Sequence, residues 1–153
     1  MYKLELWHHF AASHQLRNAY STECNSSLHG HNWKAKVEIQ AEYLADSMIA
    51  DFKQLKSVID RLDHTTLLEN VDRNKKLYDV LMEMGNKVIL LDFELTAENL
   101  ARYLQEEIKK VLVEKYSDDS KKPSWYEGEE PFKVAVTLWE ADNASIKYDE
   151  KNG

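Results

Sequence analysis

The sequence is poor in cysteine, proline and glycine: its 153 residues include one Cys, two Pro and four Gly. A single cysteine, Cys24, cannot form a disulfide within the chain, which is typical of a reducing compartment. So few glycines and prolines exclude collagen-like and low-complexity sequence. No apolar run is long enough to span a bilayer, and the alternating N-terminal residues lack the apolar core of a signal peptide. We therefore expect a cytoplasmic protein.

Basic residues are too few for a nucleic-acid-binding protein. The 27 Asp and Glu residues outnumber the 20 Lys and Arg, which gives a formal net charge of −7. Binding to a phosphate backbone needs a basic surface. With 43% apolar and 31% charged residues the composition is globular, and without an internal repeat or linker we expect one domain over residues 1–153. A small molecule is the expected ligand, with neither nucleic acid nor membrane as a partner.

Apolar residues alternate with polar ones near both ends of the chain, which predicts strands. Even-numbered residues from 2 to 10 share one strand face, and odd-numbered residues from 31 to 41 share a face of a second strand. Residues 132–148 predict a hairpin that turns at Asp142 and Asn143. Residues 18–27 and 117–131 are expected to be loops.

Helical spacing dominates the middle of the chain. The first helix begins after Asp51 and ends near residues 63–64. A second is predicted over 75–84, followed by Gly85, with an inward stripe of Leu77, Val80, Leu81 and Met84. A third begins after Thr96 and runs to about Lys115, and residues 87–93 are predicted to be extended. These elements predict an α+β fold, a four-stranded antiparallel sheet with helices on one face, whose edges pair with other subunits.

Three histidines form the clearest candidate metal site. His29 and His31 are two residues apart at the start of a strand, so both imidazoles project from one face. His14 lies near the end of the first strand, the expected antiparallel neighbour. Three neutral imidazoles with one open position are typical of catalytic zinc. The alternative is two solvated loop histidines and one core histidine.

Other candidates each have a structural alternative. Cys24 near a dication would be a nucleophile or base, or else a small buried apolar residue. Asp63 could orient His64, or His64 could simply lie at a helix C-terminus. Glu140 shares the buried face of its strand, where a carboxylate needs hydrogen-bond donors such as those of a heterocycle, unless it already turns toward solvent.

Together these residues resemble the 6-pyruvoyltetrahydropterin synthase and 6-carboxytetrahydropterin synthase family. The matching segments, in order, are residues 10–14 (FAASH), Cys24 with 28–32 (LHGHN), 48–56 (MIADFKQLK), 62–64 (LDH), 96–100 (TAENL) and 138–140 (LWE). The resemblance covers nearly the whole chain. It implies the tunnelling fold, in which subunits form an oligomeric barrel, commonly a homohexamer of two trimers with active sites between subunits.

The resemblance also implies a role for each residue. His14, His29 and His31 would bind Zn²⁺, and Cys24 would accept a proton. Asp63 and His64 would form a proton relay. Glu140 would anchor the pterin, with Thr96 beside its ring.

The implied substrate is 7,8-dihydroneopterin triphosphate. We expect the carboxy-forming reaction, which releases acetaldehyde and triphosphate and leaves 6-carboxy-5,6,7,8-tetrahydropterin, an intermediate toward queuosine. Four residues separate Cys24 from His29, a spacing between those of the two branches of the family. The pyruvoyl-forming reaction, which keeps the three-carbon chain, and a non-catalytic pterin- or purine-binding module are the alternatives, and Glu23 is an alternative base.

Overall fold

A computed structural model describes residues 1–150 as a mixed sheet with four α-helices. The strands are β1 (Tyr2–His14), β2 (His29–Ala41), β3 (Thr65–Glu69), β4 (Val88–Leu91), β5 (Phe132–Ala141) and β6 (Ala144–Asp149). The helices are α1 (Thr22–Ser26), α2 (Phe52–Asp60), α3 (Asp72–Glu83) and α4 (Ala97–Lys115), with a 3-10 turn at Asp119–Lys121. Among the described residues, none of the helices combines the length and apolarity needed to cross a membrane.

The long antiparallel pair β1–β2 is the centre of the fold. Each strand has 13 residues, and the two pair over their whole length. Alternate β2 side chains, Trp33, Val37 and Ile39 among them, are completely buried. They pack in one core with α2 and α4, as the alternation of the sequence predicts,.

The sheet has six strands in the order β4-β3-β1-β2-β5-β6, so the prediction of four antiparallel strands is wrong. β3 runs parallel to β1 and to β4. Its sequence, TTLLE, does not alternate, because a strand buried on both faces carries apolar residues on both,. The extended stretch predicted at 87–93 does contain β4, but as a sheet strand.

Helix α3 lies against the other face of the sheet. Leu68 is 1% exposed although it points away from Leu67, and it lies outside the main core,. Since α3 contacts β3 and β4, it is the element that covers Leu68. The expectation of helices on one face is therefore wrong for α3.

The predicted inward stripe of α3 is only half correct. Leu77 and Leu81 are partly buried, but Val80 and Met84 are 42% and 73% exposed. The helix also begins earlier than expected, at Asp72. Its end is as predicted, since Gly85 has φ +79°, a left-handed conformation that glycine adopts without strain,.

The other two predicted helices and the hairpin are confirmed, although α2 ends at Asp60 and not near residues 63–64. The Asp51 carboxylate accepts hydrogen bonds from the N–H groups of Lys53 and Gln54 at the start of α2. The Thr96 hydroxyl accepts one from Asn99 N–H at the start of α4. The hairpin β5–β6 turns at residues 142–143, and the 18–27 loop contains the short helix α1.

Glu94 fixes the loop that follows β1. Its carboxylate accepts the backbone N–H groups of Arg17 and Asn18 at 2.7 and 2.8 Å. The Arg17 guanidinium also makes two hydrogen bonds, 2.7 and 2.9 Å long, to the buried carboxylate of Glu69. Burial raises the pKa of Glu94, but the N–H donors outweigh it and hold the pKa below its ordinary value of 4.5,.

Replacing Glu94 with Gln should lower the melting temperature at neutral pH, and this decrease should be much smaller in acid. The ionised carboxylate contributes its stability above about pH 4.5 and loses it as the pH falls through the lower folded pKa. Melting curves of the wild type and Glu94→Gln between about pH 7 and pH 3.5 test this.

Glu83→Gln is the matched control, because the Glu83 side chain has no hydrogen bond or ion pair within residues 1–150. A difference between wild type and Glu94→Gln that stays constant with pH would contradict the role of the Glu94 charge.

Candidate metal centre and active site

The register of β1 and β2 brings the three histidines together. His14 is directly opposite His29, and His31 is opposite Ala12. Opposed and alternate residues project from the same face, so the three imidazoles meet. Their ring centroids are 4.7 Å apart for His14 and His29, and 5.0 Å apart for each of the other two pairs.

Glu140, near the end of β5, completes this group. Its Oε1 lies 3.0 Å from Nε2 of His14 and 2.8 Å from Nε2 of His31. One ligand atom from each of His14, His29, His31 and Glu140 lies within 4.8 Å of the others. This is the only group of that kind among the described residues, and it could hold a metal ion.

Backbone carbonyls orient two of the imidazoles. The Nδ1 of His14 lies 2.7 Å from the carbonyl oxygen of Leu95, and the Nδ1 of His29 lies 2.9 Å from that of Ser27. A carbonyl can only accept, so each Nδ1 carries the proton. Each Nε2 is then left with its lone pair toward the group, the arrangement found in metal-binding histidines.

The Nε2 atoms of His14 and His31 are buried without a hydrogen bond. Both lie close to the Glu140 carboxylate, but not in hydrogen-bond geometry. A buried polar atom without a partner is costly. A cation bound by these lone pairs would remove that cost, so the residues present fit a metal ion.

The electrostatics agree with a metal ligand set. Burial lowers the pKa of His31, and the neighbouring His14 and His29 lower it further against the opposing effect of Glu140. His31 is therefore neutral at pH 7 and able to donate a lone pair. Contact with His14 holds the pKa of the Glu140 carboxyl below its usual value in spite of burial, so this group is an anion.

Thr96 and Glu140 line one cavity beside the histidines. The cavity has a volume of about 220 Å³ and is also lined by His14 and Ser145. The Glu140 side chain is 35% exposed, so it faces both the cavity and the imidazoles. The cavity therefore combines a carboxylate, a hydroxyl and the candidate metal group.

Cys24 lies in helix α1, outside the histidine group. Its carbonyl accepts the Leu16 N–H at 2.8 Å, which ties α1 to the chain just beyond His14. Cys24 is half-buried and no residue of α1 is buried, so the alternative of a core cysteine does not hold. The Ser21 and Thr22 hydroxyls donate to the neighbouring Glu23 carboxylate, and the Ser21 bond is the main reason that its pKa is low.

Asp63 and His64 form a hydrogen-bonded pair after the end of α2. Asp63 Oδ2 lies 2.8 Å from Nδ1 of His64, and Oδ1 accepts the Ala11 N–H at 2.8 Å. The Ala11 bond is the main cause that lowers the pKa of Asp63, so the carboxylate is ionised. It orients an imidazole that is 84% exposed and whose Nε2 faces away.

Within one chain, the structure joins only part of the predicted site. His14, His29, His31, Glu140 and Thr96 come together, whereas among the described residues Cys24, Asp63 and His64 belong neither to the metal group nor to the cavity lining. The carbonyls that orient the histidines could not be predicted from the sequence, since any residue type supplies a carbonyl. The role of Glu94 could not be predicted either, because it depends on a loop 76 residues earlier in the chain.

Comparison with known proteins gives a consistent result. A family sequence model described as 6-pyruvoyl tetrahydropterin synthase matches residues 3–151. A 6-carboxy-5,6,7,8-tetrahydropterin synthase from Haemophilus influenzae is 28% identical over 119 residues, covering 71% of this chain and 83% of the relative. A provisionally assigned enzyme of that name from Pyrococcus horikoshii is 30% identical over 129 residues, covering 71% and 80%.

Solved structures share the fold. An uncharacterized protein from Wolinella succinogenes superposes with a TM-score of 0.69 at 18% identity, covering 98% of both chains. The 6-pyruvoyl tetrahydropterin synthase of Caenorhabditis elegans superposes with a TM-score of 0.57 at 24% identity, covering 98% of this chain and 96% of that one. Since the family match spans nearly the whole sequence, the chain belongs to the 6-pyruvoyl tetrahydropterin synthase family.

Proposed function

We propose that this protein is a zinc-dependent 6-carboxy-5,6,7,8-tetrahydropterin synthase acting on 7,8-dihydroneopterin triphosphate. The observation that carries the proposal is the group of three imidazoles next to the cavity of Thr96 and Glu140. A metal ion and a pterin would lie side by side in such a site. Residues 3–151 match the family model, which supports the same substrate class.

The names of the relatives favour the carboxy-forming branch. The curated relatives at 28–30% identity have that name. The structures named 6-pyruvoyl tetrahydropterin synthase from C. elegans and Plasmodium vivax are 24% and 16% identical. In the carboxy-forming reaction the substrate and one water yield 6-carboxytetrahydropterin, acetaldehyde and triphosphate.

His14, His29 and His31 would hold the metal. Zinc bound there would supply a Lewis acid that lowers the cost of negative charge on the oxygens of the substrate side chain. Glu140 would accept hydrogen bonds from adjacent N–H groups of the pterin, because its carboxylate is ionised and faces the cavity,. Thr96 would lie beside the pterin ring.

Cys24 and His64 would move the protons. The thiolate of Cys24 would accept a proton from a side-chain carbon or oxygen of the substrate. The Asp63 carboxylate fixes the proton on Nδ1 of His64, which leaves Nε2 to exchange a proton with the substrate,. Glu23 is the weaker base, since its lowered pKa and its two hydroxyl partners hold it as a solvated carboxylate.

Two subunits would complete the site. The cavity of about 220 Å³ is smaller than the roughly 300–1,000 Å³ typical of small-molecule sites. Cys24 and the Asp63–His64 pair lie apart from the histidine group within one chain. Both features support a homo-oligomer, which we propose is a hexamer, with Cys24 and His64 of each site on different chains.

The metal assignment predicts which variants lose zinc. Loss of a residue that only hydrogen-bonds to a metal ligand typically lowers metal affinity roughly 10–100-fold. His31→Ala removes a proposed ligand itself, so it should lower zinc affinity by more than this. Glu140→Ala should keep its zinc and raise the KM for the pterin, because Glu140 is proposed to bind substrate. Zinc per chain is measured by elemental mass spectrometry after dialysis.

His8→Ala is the control, since His8 contacts Asp60 and lies outside the metal group. Full zinc content in His31→Ala would contradict the metal site. Loss of zinc from Glu140→Ala would contradict the proposed role of Glu140 and assign it as a fourth ligand.

The reaction itself is tested by its products. The purified protein incubated with 7,8-dihydroneopterin triphosphate should release acetaldehyde and give a pterin with the mass of the 6-carboxy product. Cys24→Ala should lower kcat by about 10²–10⁴-fold, the usual contribution of a general base.

Glu23→Gln is the matched control and should keep nearly full activity. A pterin that retains its three-carbon side chain would assign the pyruvoyl branch instead. Pterin binding without turnover would assign a binding module, and a fully active Cys24→Ala would show that Cys24 is not the base.

A mixing experiment tests the shared site. Cys24→Ala and His64→Ala chains, each inactive alone, should regain activity when co-expressed, because a mixed oligomer contains sites with Cys24 from one chain and His64 from the other. Random mixing in equal amounts should restore roughly a quarter of the sites. No recovery in mixed oligomers verified by mass would mean that both residues come from one chain.

A further inference from the structure

The side chain of Lys87 connects the α3–β4 junction to the turn that carries Asp63 and His64. Its ammonium donates to the carbonyl oxygen of Asp60 at 3.2 Å and to that of Asp63 at 3.0 Å. The Asp60 carbonyl at the end of α2 also accepts the Asp63 N–H at 3.1 Å, and a cation at a helix C-terminus is favourable,. Lys87 therefore holds both ends of this turn.

The second contact acts on the peptide group next to His64. The Asp63 carbonyl and the His64 N–H belong to the same planar peptide unit. Lys87 binds its oxygen, and Ala11 accepts its N–H at 2.7 Å. The plane is thus held from two sides, by β1 and by the residue that precedes β4.

The backbone of His64 needs such support. Its φ is +56°, a left-handed conformation that is unfavourable for a residue with a side chain,. The imidazole is 84% exposed, and its only partner among residues 1–150 is the adjacent Asp63. The direction of the ring therefore depends on the Asp63 carboxylate and on the backbone that carries both residues.

Lys87 is itself well placed by its neighbours. Gly85 reverses the chain after α3, and the Lys87 carbonyl accepts the Thr66 N–H at 3.0 Å. Thr66 lies in β3, two residues after His64. The same residue therefore pairs with β3 through its backbone and with the turn before β3 through its side chain.

We propose that Lys87 is a positioning residue for the Asp63–His64 pair. It holds the peptide plane before His64 so that the imidazole points toward the substrate of a neighbouring subunit. The catalytic consequence rests on the proposed function, whereas the effect on the backbone does not.

Three lysine variants test this proposal. Lys87→Met removes the ammonium and keeps the length of the side chain, and Lys87→Arg restores a cationic donor. Lys76→Met is the matched control: it removes the same charge from α3, where the Lys76 side chain has no hydrogen bond or ion pair within residues 1–150. Zinc content and melting temperature should be nearly the same in all variants, because the Lys87 contacts are exposed and contribute little to global stability. Both are measured as controls for folding.

The first readout is amide hydrogen exchange of His64, which needs no substrate. Exchange should be about tenfold faster in Lys87→Met than in the wild type, from the loss of hydrogen bonds to a charged donor. It should be unchanged in Lys76→Met and largely restored in Lys87→Arg. Wild-type exchange in Lys87→Met would overturn the proposal.

The second readout is steady-state turnover of 7,8-dihydroneopterin triphosphate. Misplacement of a proton-transfer group should lower kcat of Lys87→Met roughly 10–100-fold with little change in KM. Equal kcat in Lys87→Met and Lys76→Met would overturn the positioning role. A wild type that does not turn over this substrate refutes the proposed function, and the exchange measurement still decides whether Lys87 holds the turn.

Discussion

The candidate site depends on the register between β1 and β2. In that register His14 is opposite His29, and both strands keep their alternate apolar residues in the core. A slip of one residue would turn the histidines of one strand toward solvent together with its whole apolar face, which the core strongly disfavours. The free energy that buries Trp33 and Ile39 is therefore the same free energy that brings the three imidazoles together.

Local patterns predicted this half of the site well. Alternation in residues 31–41 identified the buried face of β2, and continuation of the same parity in β5 placed Glu140 on the inner face, where it meets the histidines. The pattern could not distinguish contact with the histidines from contact with a ligand. That difference depends on how three strands twist together at their ends, which no spacing within a single strand encodes.

The strand β3 and the parallel pairing of β3 and β4 were the part that sequence reasoning could not find. An antiparallel strand exposed on one face alternates, but β3 is covered on both faces, and its sequence, TTLLE, shows no alternation,. Because the predicted sheet lacked β3, it offered no strand against whose outer face α3 could pack. The error about α3 therefore follows from the error about β3, and Leu68 is the residue that links the two.

Those same parallel strands determine where Asp63 and His64, the proposed proton-transfer pair, lie. The pairing of Ala12 with Thr65 and Ser13 with Thr66 fixes β3 beside the end of β1, so His64 must lie next to Ala11, three residues before the candidate ligand His14. The Ala11 N–H is bound to the Asp63 carboxylate and its carbonyl accepts the His64 N–H. One strand thus carries an imidazole of the candidate metal group and anchors the Asp63–His64 turn. His14 lies on the inner face of β1, whereas the exposed His64 ring has Asp63 as its only partner among residues 1–150. Under the proposed function, the two groups would therefore reach one substrate across a boundary between chains.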